Sequence, residues 1–376
     1  MDSSNPDIRL PADLLPGDGR FGCGPSKVRP AGVASLAAAA PSYLGTSHRQ
    51  SPVRSMVGRL RAGMTELFAL PDGYEVVFGN GGAATFWDVA TLSLIERRSQ
   101  HLSFGNFSES FATMAAAAPH LDNPDVITSP AGTHPEPTPN PDVDAYALTH
   151  NETSTGVAME VVRPVPADQG LVLVDATSAA GGMRADPTQF DAYYFSPQKG
   201  FGADGGLWIA LCSPAALERV ERIKATGRWI PESLSLATAV TNARLDQTYN
   251  TPGLATLFLM ADQLDWILAS GGLEWAASRC EASSEILYAW AEKAPYATPF
   301  VANPADRSPV VGTVDLDDAI DAKAVTKVLR ANGIVDTEPY RRLGRNQLRV
   351  AMFPAVEPAD VEVLTQAVDY VVSALS

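Results

Sequence analysis

Cysteine is scarce in this sequence: 3 of the 376 residues are cysteines, and their spacing matches neither a zinc site nor a disulfide framework. An odd, sparse set of this kind favours a reducing compartment. No apolar run approaches the roughly 18 residues that a membrane-spanning helix needs. The first residues are polar and acidic, unlike a secretory signal. We therefore expect a cytoplasmic protein without a metal centre or a membrane partner.

Positive charge is also in short supply, with 28 Lys and Arg against 43 Asp and Glu and a net charge of −15. A strongly acidic protein is repelled by nucleic acid and by anionic membranes, so neither is an expected partner. An anionic substrate would have to be held by local arginines against the overall field. The hydrophobic content of 45% is ordinary for a soluble globular enzyme.

The chain alternates apolar runs with helical patterns, which is typical of an α/β protein. We predict a large domain with a mostly parallel, mixed sheet flanked by helices, followed by a smaller C-terminal α/β domain. The predicted division is an N-terminal arm that forms part of the small domain (1–30), a large domain (31–270) and the small domain (271–376). Residues 294–308 are rich in Pro and Ala and are predicted to be a linker.

One lysine stands in a glycine-rich bend between two predicted buried strands. Lys199 follows the apolar run 192–195, and several glycines separate it from the next apolar run, 207–211. Burial disfavours a charged amine, so a desolvated lysine becomes a nucleophile toward carbonyl groups. From this stretch alone, an exposed loop lysine is an equally good interpretation.

Other chemically useful groups also follow predicted strands, and open α/β sheets bind ligands beyond the C-terminal strand ends. The small-residue loop at Ala83 and Ala84 opens a helix and offers free N–H groups to a phosphate, although it lacks the dinucleotide-binding and P-loop patterns. Thr153 follows one strand and Asp175 ends another. Each has a purely structural explanation by itself, as a turn or a cap. Together with the lysine they match the needs of pyridoxal 5'-phosphate.

The order and spacing of six motifs then resemble the class V, fold-type I pyridoxal-phosphate-dependent aminotransferases, from about Phe21 to the C-terminus. These motifs are Phe21-Gly-Cys-Gly-Pro25, Ser47-His48-Arg49, His150-Asn-Glu-Thr153, Val174-Asp175-Ala-Thr-Ser178, Ser196-Pro-Gln198-Lys199-Gly200 and Asn250-Thr251-Pro252. The chain departs from many relatives at Ala83-Ala84, where Gly-Arg is common, at Phe107, where Trp is common, and at Cys23, where Ser is common.

The resemblance implies a role for each matching residue in binding the cofactor. Lys199 would hold the cofactor covalently and then move the substrate's proton, and Asp175 would pair with the ring nitrogen. Thr153 would bond the phenolate oxygen, and Phe107 would cover the ring. The phosphate would be held by Ala83, Ala84 and Gln198, and by Asn250 and Thr251 of the partner subunit, which implies a homodimer with shared active sites.

The resemblance also implies which residues bind the substrate. These would be His48, Arg49 and Arg349, because guanidinium groups pair well with carboxylate and phosphate. Which of Arg341, Arg342 and Arg345 faces the site is left open. The implied reaction is reversible amino transfer between L-glutamate and 3-phosphohydroxypyruvate, giving O-phospho-L-serine and 2-oxoglutarate in serine biosynthesis. Formation of phosphohydroxythreonine in pyridoxine biosynthesis is a further implication.

Alternatives stay open at this point. A serine–glyoxylate or alanine–glyoxylate aminotransferase of the same fold would use unphosphorylated substrates, which leaves Arg49 with less to do. A cysteine desulfurase would need a mobile cysteine in the second domain, and Cys280 lies in a predicted helix. A cofactor-free α/β binding protein would be colourless when purified, whereas a protein with the bound cofactor would be yellow.

Overall fold

The computed structural model describes residues 8–166 and 168–375, so the start of the predicted arm, residues 1–7, lies outside the described part. The strands of this part are β1 (Glu75–Asn80), β2 (Ser99–Ser103), β3 (Asp125–Thr128), β4 (Ala145–Thr149), β5 (Asn151–Glu152), β6 (Val157–Ala158), β7 (Leu171–Asp175), β8 (Ala192–Phe195), β9 (Leu207–Cys212), β10 (Ala297–Pro299), β11 (Val311–Leu316) and β12 (Gln347–Ala351). Its α-helices are α1 (Pro30–Tyr43), α2 (Ser51–Leu67), α3 (Ala83–Ser93), α4 (Asn106–Ala117), α5 (Pro214–Ala225), α6 (Leu236–Ala243), α7 (Leu254–Ser270), α8 (Gly272–Lys293), α9 (Ala322–Ala331) and α10 (Pro358–Leu375). None of these helices is both long and apolar enough to cross a membrane.

Seven strands form the large sheet, in the order β1-β9-β8-β7-β4-β2-β3. β9 is antiparallel to its neighbours β1 and β8, and the other neighbouring pairs are parallel. Alternate residues of β9 pack on opposite faces: Ile209 joins one hydrophobic cluster and Trp208 joins the other. Because helices cover both faces, the central strands β7, β8 and β9 are buried along their whole length. The predicted fold class is confirmed.

The strand order brings the ends of β1, β7 and β8 to one edge of this sheet. β1 and β8 are both antiparallel to β9 and therefore run in the same direction, and β7 is parallel to β8. The loop before Ala83, the end of β7 at Asp175 and the turn after β8 at Lys199 consequently meet there. This is the edge at which open α/β sheets bind ligands.

A second sheet contains β10, β11 and β12, which are antiparallel to their neighbours. Its core includes Leu287 of α8, Val325 of α9 and Leu364 of α10. The prediction of a linker at 294–308 was wrong for Ala297–Pro299, which pair with β11. β10 is an edge strand, and an edge tolerates a proline because no ladder hydrogen bond is lost there. The boundaries predicted at residues 30 and 270 stay predictions.

The N-terminal arm connects the two sheets. The carbonyl of Phe21 accepts a hydrogen bond from the N–H of Ala351 in β12 at 2.9 Å, and the Phe21 ring is buried in the core of the second sheet. A few residues later, the Ser26 N–H donates to Gln198 O at 2.8 Å and the Ser26 hydroxyl donates to Lys199 O at 2.6 Å. One short segment is therefore bonded to the second sheet and to the lysine turn of the first.

Candidate active site

A cavity of about 420 Å³ opens at the edge of the large sheet where β1, β7 and β8 end. Seven residues predicted to bind the cofactor line it: Ala83, Ala84, Phe107, Thr153, Asp175, Gln198 and Lys199. They come from five separate stretches of the chain, and the sheet topology brings them together. Their individual roles stay predictions, since geometry alone shows only that they share one cavity.

Lys199 lies in this cavity with its amine donating a hydrogen bond to the carbonyl oxygen of Cys23. Burial lowers the pKa of the Lys199 amine to about 8, because the charged form loses its hydration. A Cβ at Gly24 would lie 2.1 Å from the Lys199 nitrogen. The N-terminal turn therefore lies directly on the lysine, and the positive φ of 145° at position 24 favours glycine there.

The lowered pKa predicts how the cofactor-free protein reacts with pyridoxal phosphate. A neutral amine attacks an aldehyde and an ammonium does not. The rate of covalent attachment should therefore rise with pH and reach half its maximum near the Lys199 pKa of about 8. Stopped-flow absorbance over a pH series measures this rate. A midpoint near 10.5, the ordinary lysine value, would contradict the burial argument.

The same shift predicts the stability of the cofactor-free protein. Folded Lys199 binds its proton less tightly than unfolded Lys199, so between about 8 and 10.5 the unfolded chain carries more protons. The contribution of this lysine to stability should consequently increase as pH rises through that window.

Asp175 is the buried carboxylate of the site. Its Oδ1 accepts a hydrogen bond from the Thr177 N–H at 2.9 Å, and its Oδ2 accepts one from the indole N–H of Trp87 at 3.0 Å. Burial raises the pKa of Asp175, whereas the hydrogen bonds from Thr177 and Trp87 lower it. The carboxylate is thus fixed at both oxygens while it faces the cavity.

Partnerless polar atoms indicate that the cavity is shaped for a polar ligand. Asn151 Oδ1 and Gln198 Oε1 are buried and have no hydrogen-bond partner within residues 8–166 and 168–375, which is costly unless a bound group supplies one. The N-terminus of α3 presents the Ala83 and Ala84 N–H groups, and Gly82 supplies no capping side chain. An amine, a carboxylate and an uncapped helix N-terminus fit the aldehyde, the ring nitrogen and the phosphate of pyridoxal phosphate.

Phe107 lies in the first turn of α4, which begins at Asn106. The reason for this start is Glu152, whose carboxylate accepts hydrogen bonds from the Phe107 N–H at 3.1 Å and the Ser108 N–H at 2.9 Å. An acidic group at a helix N-terminus stabilises the helix. Because Glu152 precedes Thr153 in the chain, the cap also holds Phe107 close to Thr153.

The hydroxyl of Thr153 donates to Ser178 Oγ at 2.8 Å. Ser178 belongs to the same motif as Asp175. The bond therefore joins the motif that ends at Thr153 to the motif that contains Asp175. Thr153 lines the cavity through this arrangement. Its bond to the cofactor's phenolate oxygen stays a prediction.

Arg349 reaches the same region from β12 of the second sheet. Its Nη1 donates to Thr153 O at 3.2 Å, and its guanidinium carbon lies 5.3 Å from the centre of the Tyr340 ring. The Tyr340 ring centre lies 5.8 Å from that of Phe107. The Nε of Arg349 is buried and has no hydrogen-bond partner among the described residues, and the role of Arg349 in substrate binding stays a prediction.

The structure shows different surroundings for Arg341, Arg342 and Arg345, whose positions relative to the site the sequence left open. Arg345 pairs with Asp315, with Nη2 and Oδ2 2.5 Å apart. Arg342 Nη1 donates to Asn106 Oδ1 at 3.0 Å, at the start of the helix that carries Phe107. Arg341 is exposed. Arg342 is therefore the member of this group whose side chain contacts an element of the site.

His48, Arg49, Asn250 and Thr251 do not line the cavity of their own chain. They form a separate cluster, in which His48 Nδ1 lies 3.1 Å from Thr251 Oγ1 and Arg49 Nη1 donates to Gln247 at 2.9 Å. The cluster is joined to the end of β1 through Asn80, whose amide donates to Thr251 O at 2.9 Å. The resemblance assigns Asn250 and Thr251 to the cavity of a partner subunit but names no subunit for the substrate site of His48 and Arg49. The chain's own fold does not bring His48 and Arg49 into its cavity, and the roles of all four residues stay predictions.

Some lining residues were not predicted from the sequence, namely Trp87, Thr149, Asn151 and Thr177. Asn151 is two positions before Thr153, so the motif itself could have indicated it. Trp87 lies one helical turn after Ala83, and residues at that spacing share a face of the helix. The periodicity could therefore have placed Trp87 near the phosphate loop, but not against Asp175.

The family follows from comparison with known proteins. Residues 134–337 match the family model described as Aminotransferase class-V. The chain belongs to the class V aminotransferases.

Closer relatives narrow this assignment. A "putative phosphoserine aminotransferase" of Mycolicibacterium vanbaalenii is 60% identical over 368 residues, 98% of this chain and 99% of that protein. The phosphoserine aminotransferase of a Nocardioides species is 60% identical over 370 residues, with 98% and 99% covered. Within class V, the chain is a member of the phosphoserine aminotransferase family.

Solved structures share the fold at lower identity. A phosphoserine aminotransferase from Cytophaga hutchinsonii has a TM-score of 0.86 at 23% identity, covering 94% of this chain and 99% of that chain. A pyridoxal-phosphate-bound phosphoserine aminotransferase from Trichomonas vaginalis has a TM-score of 0.78 at 18% identity, covering 94% and 99%. Identities this low show a common architecture, which agrees with the sheet order described above.

Proposed function

We propose that this protein uses pyridoxal phosphate to transfer an amino group reversibly between L-glutamate and 3-phosphohydroxypyruvate, giving O-phospho-L-serine and 2-oxoglutarate in serine biosynthesis. The observation that carries the proposal is the convergence of Lys199, Asp175 and the N-terminus of α3 on one cavity. Relatives 60% identical over nearly the whole chain support the choice of substrates. A cytoplasmic location and a part in pyridoxine biosynthesis are finer proposals, supported by the resemblance alone.

Each cavity residue has a distinct task in this reaction. Bound pyridoxal phosphate supplies an electron-withdrawing ring that stabilises negative charge at the substrate's α-carbon. The Lys199 amine would hold the cofactor covalently and, once free, would accept and return the proton of the substrate's α-carbon. Asp175 would stabilise a proton on the ring nitrogen, and Phe107 would cover the ring and exclude water. The N–H groups of Ala83 and Ala84, with Gln198, bind the phosphate.

The substrate is proposed to bind beside Lys199. Arg349 lies close enough to Lys199 for its positive charge to lower the pKa of that amine, and its Nε lacks a partner. It is therefore well placed for a substrate carboxylate, by a charge-assisted hydrogen bond. His48 and Arg49 would supply the positive charge and the hydrogen bonds for the other anionic group of the substrate, which is the phosphate of 3-phosphohydroxypyruvate or the side-chain carboxylate of glutamate. Local cations of this kind offset the repulsion expected from a net charge of −15.

A spectral titration tests this function. Adding L-glutamate to the yellow protein should bleach its visible band, and adding 3-phosphohydroxypyruvate should restore it, because the amino group is transferred in two halves. Initial rates at varied concentrations of both substrates should give parallel double-reciprocal lines. Intersecting lines, or bleaching by glutamate that phosphorylated keto acids fail to reverse, would refute the proposal.

Arg49 discriminates between the proposed function and the glyoxylate-type alternative. Arg49→Gln should lower kcat/KM for 3-phosphohydroxypyruvate by about tenfold to a hundredfold, since a hydrogen bond to a charged group contributes about 1.5–3 kcal/mol. The loss for an unphosphorylated keto acid such as glyoxylate should be much smaller. Equal losses would mean that Arg49 does not contact the phosphate. Arg54→Gln is a suitable control, because Arg54 lies in the first turn of α2 and donates only to Leu245 O among its recorded contacts.

A cysteine desulfurase remains disfavoured by the position of Cys280. This residue is buried within α8, so its thiol is not on a loop that could enter the cavity. Burial also raises the pKa of the Cys280 thiol, which disfavours the reactive thiolate.

We also propose that the enzyme is a homodimer in which the His48, Arg49, Asn250 and Thr251 cluster completes the partner's cavity. Subunit mixing provides the test. Lys199→Ala and Asn250→Asp, whose new charge would repel the cofactor phosphate, should each be nearly inactive alone. Unfolding and refolding them together should restore about a quarter of the wild-type activity, because half the dimers are mixed and each has one intact site.

The mixing experiment separates shared from independent sites. If Asn250 served the cavity of its own chain, every site in a mixed dimer would carry one of the two changes. No activity would then return. Size-exclusion chromatography with light scattering would confirm that both variants still form dimers before mixing.

A further inference from the structure

Trp87 makes a contact that the reaction proposed above does not use. Its indole N–H donates to Asp175 Oδ2 at 3.0 Å, and both side chains are buried. Trp87 also lines the cavity. We propose that Trp87 is a positioning residue for the cofactor, which keeps the Asp175 carboxylate ionised and aimed at the ring nitrogen. This inference rests on the proposed function, since it assumes that pyridoxal phosphate occupies the cavity.

The hydrogen bonds of Asp175 fix the direction of its carboxylate. Oδ1 is held by the Thr177 N–H and Oδ2 by Trp87. A carboxylate bonded at both oxygens cannot rotate without breaking one of the bonds, so its remaining lone pairs keep one direction. The Thr177 donor is part of the backbone. Trp87 supplies the bond that comes from a different element, helix α3, 88 residues away in the chain.

The indole of Trp87 is itself rigidly held. Its ring lies nearly parallel to that of Phe111 in α4, with an angle of 12° between the planes and 6.1 Å between the ring centres. Trp87 is one turn along α3 from Ala83, the first residue of that helix, and both residues line the cavity. A single helix thus carries the predicted phosphate cradle and the donor to Asp175. Its fixed rise sets the distance between the two ends of the cofactor site.

The bond also affects where a proton resides. A hydrogen bond to the carboxylate stabilises the ionised form of Asp175, and the Trp87 bond opposes the increase in pKa that burial causes. Without this bond, the proton shared between Asp175 and the ring nitrogen shifts toward Asp175. The ring then carries less positive charge and withdraws electrons less strongly. The Lys199 nitrogen, when bonded to the cofactor, should consequently hold its own proton more tightly.

The chain offers a matched pair of variants for the test. Trp87→Phe keeps an aromatic ring and removes the N–H. Trp208→Phe makes the same change at a buried tryptophan of the same hydrophobic cluster whose indole N–H has no partner. We expect Trp87→Phe to weaken pyridoxal phosphate binding about tenfold and to raise the pH midpoint of the visible absorption band by about half a unit. Trp208→Phe should leave both values unchanged.

A third variant separates the hydrogen bond from the bulk of the side chain. In Trp87→His, the Nε2 position of the imidazole corresponds to the indole nitrogen, so a donor is kept while the six-membered ring is lost. If the N–H matters, His should restore the midpoint toward the wild-type value. If packing alone matters, His should be worse than Phe, and this outcome would overturn the proposal. It also provides a measurement should Trp87→Phe fail to fold, which thermal unfolding would reveal.

A double-mutant cycle then tests whether Trp87 acts through Asp175. In the Asp175→Asn background, adding Trp87→Phe should cause little further loss of cofactor affinity. If the losses of cofactor affinity in the two single variants simply add in the double variant, Trp87 contacts the cofactor directly and the inference is overturned. An unchanged pH midpoint of the visible band in Trp87→Phe would overturn it as well. Failure of the wild-type protein to bind pyridoxal phosphate would instead refute the proposed function.

Discussion

Replacing Lys199 with alanine should reduce turnover by at least about a thousandfold, because one amine both anchors the cofactor and carries the proton. Among the described residues that line the cavity, no other has an amine side chain. The fold should survive, since the Lys199 side chain makes its recorded hydrogen bond to one carbonyl, that of Cys23. Turnover and the thermal unfolding midpoint, measured on the same preparation, check both expectations.

Two additions make the Lys199 experiment specific. Lys224→Ala removes an exposed lysine of α5 whose nearest acidic partner, Glu221, lies 3.7 Å away, and it should leave turnover unchanged. A small primary amine added to Lys199→Ala should restore part of the turnover, because a free amine can take over the proton transfer. Near-normal activity of Lys199→Ala without such an amine would refute the proposed role.

Asp175→Asn should give the second large effect, a loss of about a hundredfold to a thousandfold in kcat, comparable to the loss of an electrostatic group in other active sites. Asparagine keeps the size and the hydrogen-bonding oxygen but cannot hold a proton on the ring nitrogen by charge. The ring would then be a weaker electron acceptor. Steady-state rates, together with the visible spectrum of the bound cofactor, measure the effect.

A second buried aspartate supplies the control for Asp175. Asp191 lies at the opposite end of the neighbouring strand β8 and accepts a hydrogen bond from the Val172 N–H at 2.8 Å. Asp191→Asn should lower stability without changing the cofactor spectrum. If both asparagine variants lost activity to the same extent, the effect at Asp175 would reflect folding rather than chemistry.

The residues that the sequence predicted well are those at the ends of buried strands. Asp175 ends β7 and Lys199 follows β8 because apolar runs and the proline after Phe195 mark these boundaries locally. Parallel strands share one edge, so the convergence of these two residues follows from the fold class. The convergence of Ala83, Asp175 and Lys199 follows from that topology, whereas Phe107 and Gln198 were assigned through the resemblance to the aminotransferases.

Features that depend on distant contacts could not be predicted in this way. The start of α4 is set by Glu152, which lies 44 residues from Ser108 in the sequence. β10 forms because β11 pairs with it, although its own composition resembles a linker. The bond between Trp87 and Asp175 spans 88 residues. In each case the sequence around one of the two partners gives no indication of the contact, because the contact forms only when the two distant segments pack together.

The attachment of Phe21 to β12 and of Ser26 to the lysine turn has a consequence for biosynthesis. Phe21 precedes every strand of the seven-stranded sheet in the chain, whereas the Ala351 N–H that bonds to it follows all of them. The turn that covers Lys199 can therefore be bonded to β12 only after all seven strands have been synthesised.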